Sequence, residues 1–138
     1  MSGQVLLVVA AALIDSQGRI LLAQRPEGKQ LAGLWEFPGG KLERGETPEA
    51  ALVRELEEEL SITVNESSLE PLTFASFAYP AFHLLMPLYG CRTWSGYIRP
   101  REGQATAWVE TSRLRDYPAP PADLPLFDWL TQNLTDRQ

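Results

Sequence analysis

Residues 39 to 62, Gly-Gly-Lys-Leu-Glu-Arg-Gly-Glu-Thr-Pro-Glu-Ala-Ala-Leu-Val-Arg-Glu-Leu-Glu-Glu-Glu-Leu-Ser-Ile, constrain this chain more than any other stretch. They join a glycine-rich turn to a short acidic helix. Thr47 followed by Pro48 reads as a helix start, because the threonine hydroxyl can accept an orphan N–H and proline lacks the N–H that the first helical position would leave unused. At about 100° per residue, Leu52, Val53, Leu56 and Leu60 fall on one stripe, and Glu55, Glu58 and Glu59 gather on a neighbouring arc. One face is apolar, and the next holds three carboxylates.

Carboxylates three and four residues apart repel one another mildly, and a divalent cation relieves that repulsion. Hard cations such as Mg²⁺ take oxygen ligands, keep several waters and are commonly shared with substrate phosphates. Taken alone, Arg54 to Leu60 is also what a solvated helix face looks like. Gly40 and Glu46, standing at fixed offsets before the run, favour the chemical reading.

That combination resembles the Nudix hydrolases. Their motif runs Gly, five residues, Glu, seven residues, then Arg-Glu-aliphatic-any-Glu-Glu-any-Gly-aliphatic. The matching residues are Gly40, Glu46, Arg54, Glu55, Leu56, Glu58, Glu59 and Ile62. Such agreement arises by chance roughly once in 10⁵ chains of this length. The departure is Ser61, where the family has glycine. Glycine there would adopt a left-handed helix cap, and serine makes that geometry costlier.

At 138 residues with a net charge of -6, the chain reads as one domain, residues 1 to 138, large enough to bury a core. Residues 40 to 62 hold seven acids against three bases, so most of the excess charge sits in this stretch. An acidic chain is a poor binder of nucleic acid polymer, which depends on Lys and Arg neutralising phosphates. Small phosphate substrates stay accessible through bound metal. Cys91 is the single cysteine, which excludes a disulfide framework and a cysteine metal site and fits a reducing cytoplasm. Val5 to Ile14 is apolar but too short to span a bilayer, so no membrane role is expected.

In chain order, Val5 to Ile14 predicts a strand covered on both faces. Asp15 to Gly18 predicts a turn, with Arg19 to Gln24 returning as the second strand of a hairpin. Thr63 to Glu70 reads as loop. Pro71 to Ala78 and Phe82 to Cys91 read as strands about a turn at Tyr79 to Ala81, and Pro87 implies an edge or a bulge in the second. His83, without acids or cysteine at ligand spacing, is expected to be structural. Ala105 to Val109 predicts a short strand, followed by a helical turn near Thr111 to Leu114. Asp123, just ahead of Pro125, reads as the N-cap of a last helix whose core face is Leu126, Phe127, Leu130 and Leu134. The alternation of strands with two marked helices fits an α/β (α+β) chain.

The resemblance extends over nearly the whole chain. Trp35-Glu36-Phe37-Pro38-Gly39-Gly40-Lys41 is similar to a signature of the MutT-like branch, which hydrolyses nucleoside triphosphates. It implies a mixed β-sheet sandwiched between helices, an αβα sandwich, with Mg²⁺ or Mn²⁺ as cofactor and a small nucleotide as substrate. By the same resemblance the Gly39 carbonyl, Glu46, Glu55, Glu58, Glu59 and Glu102 would serve the metal. Glu55, Glu58 and Glu102 are the candidate bases, and Arg54 orients Glu55. Arg25 would help hold phosphates, although a charge at a strand end is an equally good account of it. Asp123 stands after the Pro-Pro pair from which this branch reads the base. Ionised, it only accepts hydrogen bonds and suits the cytosine amine; protonated, it mimics the amide that reads oxidised guanine. Phe77, Tyr79 and Phe82 are candidates for stacking on the base or for core packing. The implied activity is removal of 8-oxo-dGTP, with CTP or modified dCTP as the alternative substrate and a noncatalytic nucleotide sensor as the alternative of another class. The expected assembly is a monomer or a homodimer.

Overall fold

The computed structural model describes residues 4–134. Strands β1 (Val5–Leu13), β4 (Gly39–Lys41), β5 (Glu70–Ala78) and β6 (His83–Cys91) form one sheet in the order β4-β1-β6-β5. Strands β2 (Ile20–Gln24), β3 (Trp35–Glu36) and β7 (Thr106–Val109) form a second, ordered β3-β2-β7. Pairing is antiparallel except between β1 and β6, which run parallel. The helices are α1 (Pro48–Leu60) and α2 (Leu124–Leu134).

The sheets lie between the helices because β1 is apolar on both faces. Val9, Ala11 and Leu13 join Leu52, Leu56 and Leu60 of α1 in one cluster, and Ala10, Ala12 and Ile14 join Phe127 and Leu130 of α2 in another. Leu52, Leu56 and Leu60 are fully buried, so truncating any one of them to alanine should cost about 2–5 kcal/mol. This is the αβα arrangement the sequence implies. Helix α1 starts as its residues dictate: Thr47 Oγ1 accepts the Ala50 N–H at 3.1 Å, and Pro48 opens the first turn. Among the described residues no helix is long and apolar enough to cross a membrane.

Three expectations change. The hairpin of β1 and β2 is cut back to its turn end: Ile14 and Ile20 form one antiparallel bridge, and beyond it the two strands belong to different sheets. Asp15 does close the expected turn, accepting the Gln17 and Arg19 N–H groups, but both edges of β1 are taken by β4 and β6. Pro87 is not at a sheet edge, since β6 runs between β1 and β5. It falls where the β1–β6 ladder is interrupted, between the Leu7–Leu85 and Ala10–Leu88 pairs, the place where a missing N–H does least harm. The irregularity of this sheet lies instead in β5, between Pro71 and Thr73. Lastly, Asp123 ends a 3₁₀ turn over Pro121–Asp123 and is buried at 5% exposure, with its carboxyl drawn to the Phe37 backbone N–H rather than held at a solvated helix start.

Candidate active site

The glycine turn is tight for reasons that reach the helix. Gly39 and Gly40 pair with Ala10 and Val9 of β1, and a Cβ on Gly39 would strike the Val9 carbonyl oxygen. A Cβ on Gly40 would strike the Glu55 carboxyl. The interval from Gly40 to Glu55 therefore reflects a direct approach of backbone to carboxylate, and a Cβ there would push the carboxylate out of its place.

Arg54 is the hub of the acids on the turn and the middle of α1. It holds Glu46 with two hydrogen bonds of 2.6 and 2.9 Å, the paired geometry in which guanidinium and carboxylate bind strongly. Its remaining donors reach Glu55 and Glu58 at 3.2 Å each and the Lys41 carbonyl at 3.1 Å. The hydrogen bonds from Arg54, then the Glu43 N–H, hold the Glu46 carboxyl down at about 2. Glu55 shifts the other way, because its burial outweighs the help of Arg54.

Glu59 has no such cation. Its carboxyl is raised to about 7, first by burial and then by the charges of Glu36, Glu55 and Glu102, against one lowering contact, the Gly39 N–H at 3.2 Å. Glu59 faces a cleft of about 350 Å³ lined also by Gly39, Glu55, Glu58, Glu102 and Arg25. The fold thus brings together six of the residues singled out in the sequence, from β4, α1, the end of β2 and the loop before β7. A larger cleft, about 600 Å³ beside Asp15 and Thr111, contains none of them.

The other candidates lie outside that lining. Glu46 and Arg54 sit behind the carboxylates. Phe77 and Tyr79 meet at a tilt with 4.8 Å between ring centroids, and Tyr79 and Phe82 with 5.3 Å, all three against the α2-side core. The Tyr79 hydroxyl accepts the Ala122 N–H at 3.2 Å and so steadies the turn that carries Asp123. The carboxyl of Asp123 is raised to about 7, by burial first and by the charge of Glu36 second. His83 meets Ser76 at 2.7 Å, which suits the structural reading.

Two cleft residues escape a sequence reading. Glu36 on β3 is paired with Arg25 at 3.1 Å, is raised by burial, and adds its charge to both Glu59 and Asp123. It connects the carboxylate cleft to the Asp123 end. Lys29 reaches Glu102 at 3.3 Å across 73 positions of chain. For Glu36 the available signal was an acid between two aromatics, Trp35 and Phe37; for Lys29 there was none.

The donor set fits a hard divalent cation. Every side-chain oxygen is a carboxylate, and Glu59 carries an ionisation cost that a cation would offset. Among the described residues no three such side chains already converge as a closed cage, in keeping with Arg54 holding Glu55 and Glu58.

A family model described as NUDIX domain matches residues 9–129. The chain belongs to the Nudix hydrolases. Among relatives of this Nudix protein, the 8-oxo-dGTP diphosphatase of Haemophilus influenzae is 42% identical over 120 residues, covering 86% of this chain and 87% of that protein. The CTP pyrophosphohydrolase of Escherichia coli (strain K12) is 38% identical over 130 residues, covering 87% of each. The solution structure of the E. coli ORF135 protein superposes with a TM-score of 0.81 at 35% identity, over 96% of both chains. Nudix hydrolases as a family depend on divalent metal.

Proposed function

We propose that this Nudix hydrolase is a Mg²⁺-dependent nucleoside triphosphate pyrophosphohydrolase acting on 8-oxo-dGTP, releasing the nucleoside monophosphate and pyrophosphate as a cytoplasmic housecleaning enzyme. The carrying observation is the Asp123 carboxyl, 5% exposed and raised to about 7. A carboxyl raised that far holds its proton in a large share of molecules near neutral pH, and the protonated form offers one donor and one acceptor, the pair that oxidised guanine requires. The identity with 8-oxo-dGTP diphosphatases supports the same choice.

In this reading Glu55, Glu58, Glu59, Glu102 and the Gly39 carbonyl hold Mg²⁺, with Mn²⁺ as the alternative ion. When bound, the metal neutralises the phosphate oxygens and lowers the pKa of attacking water. Glu46 serves the set indirectly, since both of its oxygens are occupied by Arg54. Arg54 in turn orients Glu55 and Glu58. Among Glu55, Glu58 and Glu102, the base is the carboxylate that takes the water proton. Arg25, bound to Glu36 and to the Gln30 carbonyl at 2.7 Å in the cleft, turns a guanidinium N–H to substrate phosphate. Phe77 and Tyr79 act from behind, through the Asp123 turn. The whole chain, residues 1 to 138, acts as one domain, monomeric or homodimeric, on a small nucleotide and without nucleic acid polymer.

A second reading, hydrolysis of CTP or modified dCTP, is favoured by the relative named CTP pyrophosphohydrolase; it requires Asp123 to bind ionised, accepting from the cytosine amine. One assay separates them: pyrophosphate release with Mg²⁺ from 8-oxo-dGTP, dGTP, CTP, dCTP and 5-methyl-dCTP. The proposal expects the highest kcat/KM for 8-oxo-dGTP. A higher value for a cytosine nucleotide would replace it with the second reading, and release from none of them would defeat both.

A further inference from the structure

Ser61, the one departure from the family motif, has a left-handed backbone, φ 67° and ψ 27°, and its N–H closes α1 onto the Glu57 carbonyl. Glycine would take this conformation without strain. Serine adds a hydroxyl, and the hydroxyl is fully used. It donates to the Arg99 carbonyl at 3.1 Å and accepts from Arg101 Nε at 2.7 Å. The backbone continues the attachment, with the Arg99 N–H on the Leu60 carbonyl at 2.8 Å and the Arg101 N–H on the Glu59 carbonyl at 2.9 Å. Four hydrogen bonds thus fasten Arg99 to Arg101 onto the last turn of α1, between Gly96 and Gly103, both at positive φ. Glu102 follows directly.

We propose that Ser61 is a positioning residue for hydrolysis: its hydroxyl clasps the loop 99–101 to the end of α1 and so sets Glu102 against Glu59. The inference rests on the reading of Glu102 as part of the hydrolytic centre. It explains how a glutamate more than forty positions beyond the motif helix, in a loop with glycine at both ends, lines the same cleft as Glu55, Glu58 and Glu59. The backbone bonds alone fix the height of the loop on the helix. The hydroxyl also engages the Arg101 side chain, which lines the cleft beside Glu102.

The test uses Ser61→Gly, which removes the hydroxyl and suits the backbone, so folding is preserved. The expected result is a melting temperature equal to or above wild type. With Mg²⁺ and 8-oxo-dGTP, kcat should be lower by about tenfold, the scale of one or two lost hydrogen bonds, with KM changed less than about twofold. Amide hydrogen exchange in the free protein should quicken at Arg99 and Arg101 and stay unchanged at Leu56. In a Glu102→Gln background, Ser61→Gly should lower kcat no further. Wild-type kcat with wild-type exchange in Ser61→Gly would overturn the clasp. A full additional loss in the Glu102→Gln background would show that Ser61 does not act through Glu102 and would also overturn it. Undiminished kcat in Glu102→Gln alone, with faster exchange in Ser61→Gly, would overturn the hydrolytic reading of Glu102 while leaving the clasp standing.

Discussion

Glu46 and Glu59 belong to one turn and helix, yet their surroundings drive them in opposite directions. Glu46 is met by both arms of Arg54 and by the Glu43 N–H, and its carboxyl is held at about 2. Glu59, with the charges of Glu36, Glu55 and Glu102 near it and only the Gly39 N–H in its favour, is raised to about 7. Asp123, at the far side of Glu36, is raised likewise. The molecule therefore has two acidic regions of different kinds. Around Arg54 the acids share one cation that holds them in place and pulls Glu46 down, although burial still raises Glu55. Along Glu59, Glu36 and Asp123 they are left with less counter-charge than they need, which is how groups awaiting a cation or a ligand proton differ from groups that serve the fold.

Glu58 gives the sharpest test of that division, because it touches both regions. Its carboxyl bonds to Arg54 at 3.2 Å, yet the side chain is 61% exposed and lines the cleft. If it serves the cleft, Glu58→Gln should lower kcat for 8-oxo-dGTP by about 100-fold or more, while the melting temperature scarcely moves, as expected of an exposed ion pair. A large fall in melting temperature with turnover intact would move Glu58 into the Arg54 region.

Asp123 tests the other side through pH. Its carboxyl binds a proton up to about 7 in the folded protein, against 3.8 for an ordinary aspartate. Between those values the native state holds more protons than the unfolded one, so stability is greatest at the acid end and is lost as pH rises toward and through 7. At about 1.4 kcal/mol for each tenfold change in proton affinity, the loss is on the order of a few kcal/mol. Asp123→Asn removes this term. In urea unfolding at pH 5, 7 and 8.5, the variant should gain on wild type as pH rises. Parallel curves would mean that Asp123 is not held against ionisation.

How far the sequence reached depended on the range of the interactions involved. The start of α1 was legible because Thr47 and Pro48 act on N–H groups within three positions, and the arc of Glu55, Glu58 and Glu59 because helical geometry alone sets it. The pairing of β5 with β6 followed from a local turn. Pairing of β1 with β2 was misread for the same local reason: Asp15 makes the turn, but partners 29 to 78 residues away, β4 and β6, compete for the strand and win. Lys29 and the attachment of Ser61 to Arg99 and Arg101 were out of reach, since each depends on two segments that only folding brings together, and Glu36 left no more than an acid between two aromatics.

Arg54→Met addresses the Arg54 region as a whole. The arginine side chain is 21% exposed and holds Glu46, Glu55 and Glu58 together. Removing the cation leaves those carboxylates facing one another, at a cost of about 2 kcal/mol, below the range for a fully buried pair, or a melting temperature lower by roughly 5–10 °C. Addition of Mg²⁺ should recover part of the loss by replacing the missing charge. An unchanged melting temperature would show that these acids do not need Arg54.

The smallest effect expected is that of Glu46→Gln, and it should appear only in acid. A carboxyl held at about 2 in the folded protein, against 4.5 for an ordinary glutamate, contributes stability that is complete above 4.5 and is lost as pH falls toward 2. Glutamine keeps the shape and one acceptor oxygen for Arg54 but has no proton to take up over that interval. Denaturant unfolding between pH 2 and 6 should therefore show wild type losing stability on acidification more steeply than the variant, with the two curves converging at the acid end. Above pH 5 the variant should be modestly less stable at every pH by a constant amount. Equal acid slopes would mean that Glu46 is no better held than a free surface glutamate, and that the contrast with Glu59 comes from Glu59 alone.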